Sequence, residues 1–330
     1  MKAIIPVAGI GSKLRPHTHT QPKALVPVAG KPILSHIVDK LVSTGVTDFI
    51  FIIGYLGNKI EEYIKTNYPQ LKTNFVFQDP REGTGQAVLL TKDLVDLNEE
   101  VIIALGDTIF DIDLKEVINS SGSSLGVKKV TDPRNFGVAE LDEQGIIRHV
   151  VEKPPIPKSN LALVGIYKIK ETKKLFDALS HLVSQNIRTQ GEYHLTDAIM
   201  LMITDGVIFK TFPVENWYDC GVKDNLLETN AMLLKKNCKT IESDKFVNTI
   251  FIPPVSIADN CQISNSIIGP NVSIGENTII NYSILKDSII GSFSELENAV
   301  LHHSVIGSDA SLHGLSQSLN LGDSTEIDFG

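Results

Sequence analysis

Apolar residues in the first 240 positions of the chain form short runs that are separated by amphipathic stretches. Residues 4–8, 49–53, 75–77 and 101–105 are apolar without strict alternation, which is typical of strands covered on both faces. Residues 33–42 and 59–64 place apolar side chains three and four positions apart, as helices do. This alternation predicts an open α/β sheet, in which ligands gather at the carboxyl ends of the strands.

Beyond residue 240 the pattern changes to one aliphatic residue every five or six positions, with glycine and asparagine between them. A helix would show steps of three and four, whereas a repeat near six predicts a parallel β-helix of roughly four turns. We therefore place a domain boundary between residues 240 and 241. Residues 316–330 lose the period, and no structure is predicted for them. The repeating positions are Ile252, Ile257, Ile263, Ile268, Ile274, Ile280, Leu285, Ile290, Leu296, Leu301, Ile306 and Leu312.

Composition and charge narrow the possible partners. Hydrophobic residues make up 42% of the chain, enough for a sizeable core, and the net charge of −9 without a basic cluster argues against nucleic acid. Cys220, Cys238 and Cys261 lie too far apart to suggest a zinc cluster or a disulfide framework. No apolar stretch approaches the roughly 20 residues of a membrane helix, and a strand pattern stands where a signal peptide would be. We expect a cytoplasmic protein without a membrane partner.

Two glycines follow the first strand, Gly9 and Gly11, and they would let the backbone approach a phosphate and offer its N–H groups. Lys13 and Arg15 add positive charge to the same loop. Leu14 stands where a dinucleotide-binding fingerprint would need glycine, and the Gly-Lys-Ser/Thr of a P-loop is missing. A tight turn without a ligand is the alternative interpretation of this loop.

Two later segments carry candidate chemistry. The amide of Gln78 can both donate to and accept from a base edge, and a helix starting near Thr84 would direct free N–H groups into the same site. Asp107 follows the strand at 101–105, where its carboxylate is well placed for Mg²⁺. An ordinary surface loop and a turn or cap residue are the respective alternatives.

The stretch 9–34, which contains Gly9, Gly11, Lys23 and Gly30-Lys31-Pro32, resembles the N-terminal signature of the sugar-1-phosphate nucleotidyltransferase family. Further matching segments follow in the family's order, at 78–87, 101–107, 135–138, 152–154 and 217–221. The resemblance extends from residue 2 to about residue 314. It implies a Rossmann-like, mostly parallel sheet of the nucleotide-diphospho-sugar transferase type, residues 1–240, followed by a short left-handed parallel β-helix, residues 241–330.

The resemblance also implies a role for each matching residue. The nucleotide would contact Ala8, Gly9, Gly11, Ser12, Gln78, Gly83 and Thr84. The sugar phosphate would contact Gly137, Glu152, Lys153 and Gly165. The catalytic residues would be Lys13, Lys23 and Asp107, and Mg²⁺ would bind Asp107 and Asp219.

Three positions qualify these roles. Lys13 stands where the family usually has arginine, so the charge is kept but the planar fork is lost. Leu163 replaces an asparagine common in the family, which leaves the choice of sugar open. Glu192 is a further candidate sugar contact, unless its segment merely forms a helix start capped by Thr196 or Asp197.

The implied reaction joins dTTP or UTP to a sugar 1-phosphate, by default glucose 1-phosphate. By analogy with the family we expect a homo-oligomer, either a dimer or a tetramer. N-acetylglucosamine 1-phosphate is the alternative acceptor. A catalytically inactive regulatory protein that binds sugar nucleotides is an alternative from another class, supported by Lys13. Acyltransferase activity in the β-helix is a third hypothesis, with His302, His303 and His313 as candidate bases.

Overall fold

A computed structural model of the chain describes residues 1–237 and 241–314. Cys238 and the segment 316–330, for which no structure was predicted, lie outside the described residues. Contacts between Cα atoms divide the chain into two units, Met1–Thr229 and Asn230–Gly330. The domain boundary between residues 240 and 241 stays a prediction.

The first unit contains thirteen described strands and the helices around them. The strands are β1 (Lys2–Pro6), β2 (Pro27–Val28), β3 (Lys31–Pro32), β4 (Asp48–Ile53), β5 (Lys72–Phe77), β6 (Val101–Ala104), β7 (Thr108–Asp111), β8 (Ser123–Lys129), β9 (Gly137–Leu141), β10 (Ile147–Glu152), β11 (Leu161–Ile169), β12 (Phe209–Pro213) and β13 (Asn216–Asp219). The helices are α1 (Ile33–Val42), α2 (Gly57–Asn67), α3 (Thr84–Leu89), α4 (Leu114–Asn119), α5 (Thr172–Ser184), α6 (Leu195–Thr204) and α7 (Lys223–Lys236), the last of which crosses into the second unit.

A nine-stranded mixed sheet forms the centre of the first unit. Its main path runs β10-β9-β11-β6-β1-β4-β5, while β8 pairs with β11 and β12 pairs with β8. The strands β6, β1, β4 and β5 are parallel, as the sequence predicted, whereas β11 runs antiparallel to β6. Ile4, Ile50 and Ile103 are fully buried, because helices cover both faces of these strands. The predicted helix at 33–42 is confirmed as α1.

The second unit is a three-sided parallel β-helix. Each side is a sheet of four short strands, which confirms the predicted number of turns and agrees with the left-handed type. The strands are β14 (Ile250–Phe251), β15 (Val255–Ile257), β16 (Gln262–Ser264), β17 (Ile267–Ile268), β18 (Val272–Ile274), β19 (Ile279–Asn281), β20 (Ile284–Lys286), β21 (Ile289–Ile290), β22 (Glu295–Glu297), β23 (Val300–His302), β24 (Val305–Ile306) and β25 (Ser311–His313).

Most of the predicted inward positions form the core of this unit, and Ile268, Ile280 and Leu285 are fully buried. Ile252 was predicted wrongly, because its side chain is 43% exposed. Phe251 takes the inward position, since it pairs with Ile268 and paired residues of parallel strands point to the same face. Corner residues such as Asn265 have left-handed backbone angles, which asparagine tolerates better than most residues.

The histidines considered as acyltransferase bases lie on the outer surface of the β-helix. His302 is 65% exposed and lies 3.5 Å from Asp287, and His313 is 58% exposed and lies 3.4 Å from Glu297. His303 follows at a corner with φ of 52°. All three side chains therefore face solvent, as ordinary surface histidines do. Among the described residues, no helix has the length and hydropathy that crossing a membrane requires.

His36, on α1, connects this helix to the hairpin that β2 and β3 form. Its Nε2 donates to the carbonyl oxygen of Val28 at 2.9 Å. Burial lowers the pKa of His36 from 6.5 to about 4. Between pH 6.5 and 4 the imidazole is therefore neutral in the folded chain, whereas in the unfolded chain it binds a proton. The free energy of unfolding must then fall as the pH falls through this range.

We expect the free energy of unfolding to decrease between pH 6.5 and 4, with His36 contributing about 3 kcal/mol at most. His36→Gln keeps a donor for Val28 but does not titrate, so the pH dependence should flatten. Urea unfolding followed by the fluorescence of Trp217, the single tryptophan, measures this. His181→Gln, at an exposed position of α5, is the control. Equal pH dependence in His36→Gln and wild type would contradict the assignment.

Candidate active site

Two adjoining cavities, of about 260 and about 800 Å³, open where β1 and β6 end. Every residue predicted for the site lines one of them. The first is lined by Ala8, Gln78 and Gly83; both are lined by Gly9, Lys23, Thr84 and Asp107; the second is lined by Gly11, Ser12, Lys13, Gly137, Glu152, Lys153, Gly165 and Asp219. Glu192 also lines both.

Asp107 and Asp219 are brought together by a two-stranded antiparallel ribbon. β7 pairs with β13 so that Asp219 lies opposite Thr108, the neighbour of Asp107. The N–H of Cys220 donates to the carbonyl oxygen of Asp107 at 3.2 Å, which extends the ribbon by one bond. Backbone pairing therefore fixes the distance between the two carboxylates.

Lys23 acts on both carboxylates. Lys23 Nζ donates to Asp107 Oδ2 at 2.8 Å. Burial raises the pKa of Asp107, but the charge and hydrogen bond of Lys23, together with hydrogen bonds from Thr108 and the backbone, bring the pKa below its usual value. Burial also raises the pKa of Asp219; Lys23 and Lys13 oppose this shift, and the charge of Asp107 adds to it. Two neighbouring carboxylates favour a bound cation.

The donor set fits a hard divalent cation. Carboxylate oxygens suit Mg²⁺, which commonly takes one or two protein carboxylates and completes its shell with water and phosphate oxygens. The described residues contain no group of three or more His, Cys, Asp or Glu side chains that could hold a metal alone. A cation between Asp107 and Asp219 would therefore depend on ligands from a bound phosphate.

The glycines of the first loop have two different functions. A Cβ on Gly9 would meet no atom within 4 Å, so the backbone faces open cavity there. Gly11 has φ of +69°, and a Cβ on it would lie 2.8 Å from Lys23 Cβ. The Thr18 hydroxyl donates to the Gly11 carbonyl oxygen at 2.8 Å. Gly9 therefore leaves room for a ligand, whereas Gly11 leaves room for Lys23.

Gln78 is 6% exposed, and its amide nitrogen is already engaged. Nε2 donates to the carbonyl oxygen of Gly83 at 3.0 Å and to Gln86 Oε1 at 2.7 Å. A backbone carbonyl can only accept, so the orientation of the Gln78 amide is determined. Of the two roles predicted for this amide, accepting through Oε1 is the one left for a ligand.

The loop at 82–85 packs against the segment before α6. Gly85 N donates to the Tyr193 carbonyl oxygen at 2.7 Å, and Tyr193 N donates to that of Glu82 at 2.8 Å. Gly83 has φ of +109°, and a Cβ on it would lie 2.5 Å from the Tyr193 oxygen. α3 begins at Thr84, as predicted, and the Thr84 hydroxyl accepts a hydrogen bond from Leu195 N. The N–H of Gly85, in the first turn of α3, is engaged by Tyr193 and does not face the site.

Glu152 and Lys153, at the end of β10, lie in the second cavity. Glu152 Oε2 accepts a hydrogen bond of 2.6 Å from the Thr196 hydroxyl. Lys153 has φ of 42°, and its N–H donates to the Phe136 carbonyl oxygen. The N-cap residue of α6 is His194, and the Thr196 hydroxyl binds Glu152 instead of capping the helix.

Gly137 and Gly165 let strands approach closely beside Glu152. A Cβ on Gly137 would lie 3.2 Å from Glu152 Oε2. Gly165 has φ of +82°, and a Cβ on it would lie 3.0 Å from Leu105. The register of β11 against β8 shifts around Gly165, between Leu163 and Tyr167.

Sequence reasoning assigned no role to several lining residues of the second cavity. Phe136 and Trp217 meet edge to face with ring centroids 4.6 Å apart. Burial raises the pKa of Tyr167, and the charges of Glu152 and Asp107 add to the shift. Since eight of the nine residues of β11 are buried, no periodicity marks Tyr167 as a cavity residue.

The match to a known protein family ends close to the end of the first unit. The model of a family described as nucleotidyl transferase matches residues 2–236. The chain is 42% identical over 236 residues to the bifunctional protein GlmU of Methanocaldococcus jannaschii, a match covering 72% of this chain and 55% of that protein. The chain thus spans about half the length of this relative.

Solved structures resemble the first unit. A Bacillus anthracis structure, assigned as a glucose-1-phosphate thymidylyltransferase and complexed with sucrose, is 30% identical with a TM-score of 0.60, covering 70% of this chain and 94% of the other. UDP-glucose pyrophosphorylase complexed with UDP-glucose is 25% identical with a TM-score of 0.62, covering 71% and 98%.

Gly83→Ala tests the packing of the 82–85 loop. We expect a lower free energy of unfolding and faster hydrogen exchange at 82–87 and 189–195, because Cβ collides with the Tyr193 carbonyl. Gly122→Ala is the matched control: Gly122 has φ of +107°, but a Cβ on it meets nothing within 4 Å. The backbone strain common to both should cost about 1–2 kcal/mol. Equal losses in the two variants would contradict the proposed contact.

Proposed function

Since the chain belongs to the nucleotidyl transferase family, we propose that it transfers a nucleotidyl group from UTP or dTTP to a sugar 1-phosphate and releases pyrophosphate. The observation that carries this proposal is the position of Lys23 and Asp107, which line both cavities, with Asp219 beside Asp107 in the second. Phosphates shared by two substrates would lie at that junction. The first cavity would take the base and the second the sugar.

The proposed reaction is a displacement at the α-phosphorus. A phosphate oxygen of the sugar 1-phosphate forms the new bond to this phosphorus, and the bond to the oxygen bridging to the β-phosphorus breaks. The electron pair leaves with pyrophosphate. Since the nucleophile is already an anion, the protein contributes mainly positioning and charge compensation. Lys13 and Lys23 compensate charge on the triphosphate, and Lys153 binds the incoming sugar phosphate.

Asp107 and Asp219 would hold Mg²⁺ together with the phosphates. When bound, the ion neutralises phosphate charge and orients the triphosphate. Lys23 donates to Asp107 without the ion, so the ammonium already offsets part of the carboxylate charge. In Lys13 the chain retains a positive charge where arginine is usual, which supports an active enzyme of this class.

The Gln78 amide favours a pyrimidine with a donor on its pairing edge. Uracil and thymine present an N3–H group, which the free Oε1 of Gln78 can accept. Cytosine has an acceptor at N3, so its N3 and Gln78 Oε1 would be two acceptors facing each other. UTP and dTTP share this edge, so the contact admits both.

Glucose 1-phosphate is the proposed acceptor, and N-acetylglucosamine 1-phosphate is the second candidate. The pair of Phe136 and Trp217, with Leu163 nearby in the same cavity, offers an apolar wall for an acetamido methyl group. Assembly into a dimer or tetramer and a cytoplasmic location stay predictions.

Pyrophosphate release measures the proposal directly. UTP, dTTP, CTP, ATP and GTP are each combined with glucose, N-acetylglucosamine, galactose or mannose 1-phosphate, with and without Mg²⁺. We expect a Mg²⁺-dependent signal with UTP or dTTP and none with CTP. Asp219→Asn should lower kcat by about a hundredfold or more. Asp205→Asn, at an exposed position after α6, should leave kcat unchanged.

Two outcomes would overturn this proposal. Turnover with CTP equal to that with UTP would remove the role assigned to Gln78. Folded protein that binds nucleotide sugars but releases no pyrophosphate under any condition would favour the regulatory alternative.

A further inference from the structure

His194 is a buried imidazole beside the residues proposed to bind the sugar. Its side chain is 7% exposed, and it lines the second cavity at the N-cap of α6. Neither the motif comparison nor the proposed reaction gives it a role. Its two ring nitrogens have different surroundings, and these determine which of them can meet a ligand.

One nitrogen of His194 must carry the proton of the neutral ring. Nε2 lies 3.1 Å from the carbonyl oxygen of Thr189. Because a carbonyl only accepts, Nε2 is the donor, and neutral His194 carries its lone pair on Nδ1. Nδ1 lies 3.9 Å from Glu152 Oε1.

Nδ1 and Glu152 Oε1 are thus two acceptors that face each other at a distance too long for a hydrogen bond. The other oxygen of Glu152 already accepts from Thr196. Lys153 Nζ lies 3.9 Å from Oε1, also beyond bonding distance. Two acceptors beside a cavity fit a ligand that brings two donors, as neighbouring hydroxyl groups of a hexose do.

We infer that His194 Nδ1 accepts a hydrogen bond from one sugar hydroxyl while Glu152 Oε1 accepts from another. The inference rests on the proposed function, because it assigns the hexose to the second cavity. It makes neutral His194 a specificity-determining residue for the sugar.

Asp197 does not compete for Nδ1. The Thr189 side chain and the backbone N–H of His194 lie near its carboxylate and partly offset the effect of burial on its pKa. Its Oδ2 is buried and has no partner among the described residues. Burial raises the pKa of Asp197, which lessens the negative charge near His194.

The affinity for UDP-glucose, compared with that for UDP, tests the inference by calorimetry at pH 8. UDP lacks the hexose and provides the reference for the nucleotide side of the site.

His194→Gln keeps a donor for the Thr189 carbonyl but has no acceptor at the Nδ1 position. We expect it to bind UDP-glucose about tenfold more weakly than the wild type, as the loss of one hydrogen bond implies, with the affinity for UDP matching the wild type. His149→Gln, at an exposed position of β10, is the matched control and should behave as wild type. Wild-type affinity for UDP-glucose in His194→Gln would overturn the inference.

A second measurement uses UDP-glucose analogues that each lack one ring hydroxyl, with the wild type and His194→Gln. One analogue should bind about tenfold more weakly than UDP-glucose to the wild type and equally to His194→Gln. A hydroxyl dependence that is the same in both proteins would overturn the role of His194. If the wild type instead binds no nucleotide sugar and releases no pyrophosphate, it is the proposed function that fails.

Discussion

The ion pair between Lys23 and Asp107 is the interaction on which the site depends. Asp107 binds this ammonium directly, and the charges of Lys23 and Lys13 also act on Asp219. Close packing around the pair requires glycine at Gly11, where any side chain would collide with Lys23, and at Gly106, where a Cβ would lie 2.2 Å from Val7. The loops after β1 and β6 are therefore shaped by the need to place one lysine beside one aspartate.

The segment 189–196 connects the two halves of the site. Backbone hydrogen bonds between Tyr193 and the 82–85 loop fix the wall of the first cavity. Three residues later, the Thr196 hydroxyl fixes Glu152 in the second. Arg188, before this segment, pairs with Glu82 at 2.6 Å and lies over the Tyr193 ring. One short segment therefore packs against both cavities.

Several features followed from local patterns in the sequence. The strands of the parallel core, helix α1 and the turns of the β-helix were predicted because hydrophobic periodicity depends on neighbours along the chain. The same reasoning failed at Ile252, where a choice between adjacent residues decides which side chain points inward. The motifs also named residues that the fold gathers around two adjoining cavities.

The sequence by itself therefore determined the class of fold, the repeat of the second unit and the residue types of the site. Only the tertiary structure decided how those residues can act. The pairing of β7 with β13 sets Asp219 beside Asp107, and the Gly83 carbonyl leaves Gln78 an acceptor. The carbonyl of Thr189 likewise fixes which nitrogen of His194 carries the proton. The first property comes from strand pairing between distant parts of the chain, and the other two come from single hydrogen bonds within short loops. Hydrophobic periodicity encodes neither kind of contact.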